Sequence, residues 1–135
     1  MAQADRRGMG ITVRSRFTIA QVNAGATIVT ATAGMAYRLV DAFAIAVGGA
    51  AGSVTTVDIL ATQAAASVKL VAFGQSSLTQ NTLLRAGASG GTILAAGASF
   101  VANDANTAIT IGKTGSDVDT ATHIDVVLTY AAEKA

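Results

Sequence analysis

Apolar and polar residues alternate along much of this 135-residue chain. In residues 11–19, "ITVRSRFTI", Ile11, Val13, Phe17 and Ile19 fall on one face of an extended strand, and Thr12, Arg14, Arg16 and Thr18 fall on the other. Residues 123–130 repeat the pattern, with Ile124, Val126, Leu128 and Tyr130 opposite His123, Asp125 and Thr129. A period of two, rich in Val, Ile and Thr, is the mark of half-buried antiparallel strands. Further β-rich runs cover residues 26–32, 35–47, 53–60, 67–73 and 107–111. The breaks between runs, "NAG", "VGGAAG", "GASGG" and "GKTGSD", suit turns that need positive φ.

Strands at a spacing of about ten residues predict an all-β fold, an antiparallel β-sandwich or jelly roll of about seven or eight strands. At most one short helix is expected. It would lie in "SSLTQNTLLR", residues 76–85, where Ser77 and Gln80 have capping-box spacing; an ordered loop is the alternative. Residues 1–10 read as a flexible N-terminal arm and 11–135 as a single sandwich domain. The Ala/Gly/Ser-rich stretches are short and flanked by strand patterns, which makes them tight loops rather than linkers.

Composition narrows the function. Charged residues make up 13% of the chain, against about 25% in an average soluble domain. A surface so poor in charge suits a chain that buries area against other chains. No apolar run reaches the roughly 20 residues of a bilayer helix, so no membrane partner is expected. A net charge of +1 gives no overall field toward nucleic acid. There is no cysteine, hence neither a disulfide framework nor a thiolate metal site. The start "MAQADRRGMG" lacks an apolar signal core, which implies synthesis in the cytoplasm.

The stretch from Ile111 to Tyr130 holds the most suggestive chemistry. Gly112-Lys113-Thr114 resembles the end of a phosphate loop, but the position five residues before Gly112 is Thr107, not Gly, and a turn follows instead of a helix. Asp117 and Asp119 are spaced like the start of a calcium loop, yet Ala121 and Thr122 stand where further ligands and a glycine belong. His123 is the chain's single histidine and has no second His or Cys to share a metal. No serine sits in a nucleophile elbow, and a chain with one Glu and no Trp offers no sugar-stacking cleft. The expectation is therefore a non-enzyme, with no catalytic, cofactor-binding or metal-binding residues and no cofactor.

Four of the nine basic residues fall within the first sixteen positions: Arg6, Arg7, Arg14 and Arg16. They read either as a solvated strand face with a frayed tail or as a partner-binding arm whose guanidinium groups grip carboxylates of a neighbouring protein. Without interleaved aromatics, nucleic acid is the weaker partner.

Three segments, "VDAFAIAVGGAAGSVTTVDIL", "SVKLVAFGQSSLTQNTLLRAG" and "NDANTAITIGKTGSDVDTATHIDVVLTY", carry a resemblance that spans nearly the whole chain. It resembles the capsid decoration (cement) proteins of tailed bacteriophages, of the jelly-roll type. The resemblance implies a structural virion protein on the capsid exterior, a homotrimer whose partner is the major capsid protein. Small-residue strands such as "AFAIAV" are then candidates for close subunit contact. Two other readings are a different virion component, such as a head-fibre base or tail module, and a small carbohydrate- or peptide-binding module.

Overall fold

The computed structural model describes residues 10–135. Among these, the elements run β1 (Ile11–Thr18), α1 (Ile19–Ala24), β2 (Ala26–Val29), β3 (Met35–Val47), β4 (Val54–Gln63) and β5 (Ala66–Gly74). Then come β6 (Leu83–Arg85), β7 (Gly91–Ile93), a kinked 3-10 segment (Ala95–Phe100), β8 (Ile109–Gly115) and β9 (His123–Lys134). The strands form two antiparallel sheets that share one hydrophobic core, with orders β1-β9-β3-β6 and β2-β8-β4-β5-β7. Leaving out β7, the pairings nest: first with last, second with second-to-last, third with sixth, fourth with fifth. That nesting is the jelly roll, a long hairpin wrapped into two Greek keys. The expected all-β sandwich is the fold, with β6 and β7 as two three-residue strands too short to carry a sequence pattern.

The short helix lies elsewhere than expected. Thr18 accepts a hydrogen bond from the Gln21 amide, and the Gln21 side chain accepts one from the Thr18 amide, a reciprocal cap that ends β1 and starts α1. Residues 76–85 take the loop alternative. Leu78 is fully buried and its carbonyl accepts from the Ala51 amide, the Asn81 amide donates to the Ala46 carbonyl, and Leu84 pairs with Ala44 in the sheet. These long-range partners outweigh a local capping box at Ser77.

The interior is filled unevenly by neighbouring strands. On the inner face of the first sheet, Ala42, Ala44 and Ala46 of β3 stand opposite Leu128, Val126 and Ile124 of β9, and all six are buried. Large residues on one strand thus interlock with small ones on the next. Across the core lie Val57, Ile59, Phe73, Ile109 and Ile111 of the second sheet, each wholly buried. Small-residue "AFAIAV" is therefore not a subunit contact through its alanines, because these point into the core.

Loops at both ends are tied by carboxylates. Asp119 accepts from the Ser53 amide and hydroxyl at 3.0 and 2.6 Å, joining the β8–β9 loop to the β3–β4 loop. Gly52 sits there at φ 93°, and a Cβ would overlap the Asp119 carboxylate. In the β4–β5 hairpin, Gln63 pairs with Ala66, leaving a two-residue turn of Ala64 and Ala65 with φ of 51° and 63°. Two positive φ values match a type I′ turn, where Asn-Gly is favoured. Alanine is costly in this region, and both amides donate to the Asp104 carboxylate, at 3.0 and 2.8 Å.

Replacing Ala65 by Gly removes the steric penalty at the second turn position and should stabilise the fold by about 1 kcal/mol. Asp104→Ala should destabilise it by about 1 kcal/mol, since the Ala64 and Ala65 amides that donate to this carboxylate lose a charged acceptor. Urea unfolding of the two variants checks both signs; a destabilised Ala65→Gly would show that the turn is not under strain.

Candidate interaction surface

The outer face of the β1-β9-β3-β6 sheet follows from the register. Directly opposed residues in antiparallel strands share a face. One row runs Arg14, Val127, Phe43, Arg85, and the next runs Arg16, Asp125, Ile45, Leu83. Above them lies Thr18, His123, Val47, and below them Thr12, Thr129, Asp41. β3 is therefore inverted in size: its alanines point inward, whereas Phe43, Ile45 and Val47 point outward. A sheet with one solvated face ordinarily carries its large apolar residues inside. Phe43, Ile45, Val47 and Val127 are only partly covered, and Leu83 is 52% exposed.

Arginines flank this apolar centre on both edges. On the β1 side, Arg16 Nε and Nη2 donate to the two Asp125 oxygens at 2.8 and 2.9 Å, a bidentate pair. That hydrogen bonding holds the Asp125 carboxyl below the usual range against the opposing effect of burial, and nearby Arg14 and His123 lower it further. The same pair raises the Arg16 guanidinium. On the β6 side, Arg85 lies 5.9 Å from the centre of the Phe43 ring and 3.1 Å from Asp41 Oδ2. Arg14, Ser15, Arg16 and Asp125 line a surface depression.

The expected cluster of arginines is thus brought together in part. Arg14 and Arg16 point the same way on β1, while Arg6 and Arg7 lie outside the described residues. Arg16 is committed to Asp125, whereas Arg14 has no carboxylate partner among the described residues. Sequence reasoning missed Arg85 and the apolar centre. The signal was present in "DAFAIAV", whose alternation has two possible phases, large-in or large-out.

The other suggestive stretch is structural. Lys113 Nζ donates to the Gly115 carbonyl at 2.8 Å and pairs with Asp117 at 3.0 Å, so its ammonium closes a turn. The segment after Thr114 leads into β9 rather than a helix. His123 lies between Thr18 and Val47 and makes no side-chain hydrogen bond among the described residues. Among these residues no three of His, Cys, Asp and Glu converge as metal ligands, and no helix is long and apolar enough to cross a membrane. Comparison with protein families and with curated proteins finds no match to this chain.

Two outcomes follow from this geometry. Ala44→Leu, which forces bulk into the packed interior, should cost about 1–3 kcal/mol, whereas Ile45→Ser on the outer face should cost about 1 kcal/mol or less in the isolated protein. Equal losses in chemical denaturation would contradict the large-out phase. Asp125 and Glu133 both have lowered pKa values through arginine hydrogen bonds. Their stabilisation is complete above the unfolded carboxylate values of about 4 and disappears as pH falls through the lower folded values. Asp125→Asn should therefore be less stable than wild type at pH 7, with the gap closing toward pH 2. A gap that stays constant over that range would show that the Arg16 pair contributes nothing.

Proposed function

We propose that this chain is a structural protein of a tailed-phage head, one that binds the outside of the capsid and stabilises the shell as a homotrimer, without enzymatic activity. The observation that carries the reading is the outward turn of Phe43, Ile45 and Val47 on a small, charge-poor jelly roll. Exposing such a face to water is unfavourable, and covering it lowers the free energy by about 25 cal/mol per Å² before association costs. The sequence resemblance to decoration proteins supplies the kind of partner, the major capsid protein. Shell stabilisation then follows from mass action, because a ligand that binds only the assembled lattice shifts the equilibrium toward it. A trimer multiplies each weak contact, since three linked copies engage neighbouring capsid subunits together.

The test uses heads of the encoding phage made with this gene disrupted. Purified protein at micromolar concentration should co-sediment with them saturably and raise the temperature at which they release DNA. Native mass measurement of the free protein should give a trimer. Heads that neither bind the protein nor gain thermal resistance would rule the reading out.

A further inference from the structure

We infer that the outer face of the β1-β9-β3-β6 sheet is the surface that docks on the capsid, and that it fits an acidic protein surface with an apolar centre rather than a second copy of this chain. The inference rests on the head-decoration reading and adds which face binds, and to what chemistry.

Charge carries the choice of occupant. Three arginines, Arg14, Arg16 and Arg85, share the face with two carboxylates, Asp41 and Asp125, each of which is already paired to one of them. Among the described residues one arginine charge is left over, and Arg14 at the sheet edge carries it. The same face of a second copy would bring surplus against surplus. An acidic patch on the capsid protein would match that surplus instead.

Area points the same way. Four strands spaced about 4.8 Å apart and three two-residue steps along them give a face of roughly 400 Å². That is about half of the approximately 800 Å² per partner of a standard stable interface. Pairing two such faces alone makes a poor dimer. As one foot of a multivalent particle on a lattice, a contact of this size suffices through effective concentration. Phe43, Ile45, Leu83 and Val127 supply the desolvated centre, and the arginines supply orientation and a salt-dependent encounter rate.

The experiment compares wild type, Phe43→Ser with Leu83→Ser, Arg14→Glu, and the control Val40→Ser, an exposed apolar change at the β3 bulge. Each is checked for unchanged melting temperature, weighed free in solution by sedimentation, and titrated onto the heads that lack this protein. The double variant is expected to bind at least tenfold more weakly. Arg14→Glu should bind more weakly with a shallower salt dependence, and Val40→Ser should bind like wild type. All four should have the same free oligomeric state. If wild type binds and the face variants bind equally well, the assignment of the face is wrong while the head-decoration reading stands. If the double variant lowers the free oligomeric state, the occupant is a second copy and the inference fails. If wild type itself does not bind, both the reading and the inference fall. Arg14→Glu carries the test on its own should the double variant melt early.

Discussion

The size alternation between β3 and β9 is the constraint on which this molecule depends. A sandwich interior has a fixed thickness, about 10 Å from sheet to sheet, and side chains must fill it without voids or overlap. Ile124, Val126 and Leu128 of β9 occupy that space beside Ala42, Ala44 and Ala46 of β3. Once the alanines are inside, the period of two forces Phe43, Ile45 and Val47 outside. The core packing and the exposed apolar face are therefore one feature seen from two sides. Moving the large residues of β3 inward would need a one-residue slip against β9, with the loss of every inner pair.

The remaining polar chemistry serves the frame around that packing. Carboxylates hold loops that have little apolar material of their own: Asp119 joins two loops at one end, and Asp104 holds an alanine turn that β-hairpins ordinarily build from Asn and Gly. At the β5 bulge, Leu70 leaves the ladder, and its carbonyl accepts instead from the buried hydroxyl of Ser99, which also accepts from the Leu94 amide. Among the described residues every side-chain carboxylate has a hydrogen-bond or ion-pair partner within the chain.

Much of the fold was legible from residue pattern because strand alternation is a local property. β1, β3, β5 and β9 lie within a few residues of their expected bounds; the break before β7 is a turn, whereas Gly112 to Gly115, expected as a break, continue β8, and Asn23 and Ala24 belong to α1. The helix was misplaced between two similar signals. Thr18-x-x-Gln21 and Ser77-x-x-Gln80 have the same spacing, and only tertiary partners distinguish them. The candidate surface was half visible: the phase of β1, set by Arg14 and Arg16, put both on one face, whereas the phase of β3 did not show because both sets of side chains are apolar.

Sequence alone determined the all-β class, the strand boundaries of the long runs and the scarcity of charge, since each depends on residues near one another or on composition. Its spacing also shows that the phosphate-loop and calcium-loop motifs are incomplete. The tertiary structure decided which strands pair, which side of β3 is buried, and that Arg85 and Leu83 join Arg14 and Arg16 on one face across about seventy residues of chain. Those choices depend on how volumes fit between two sheets, a quantity that no local stretch of this chain contains.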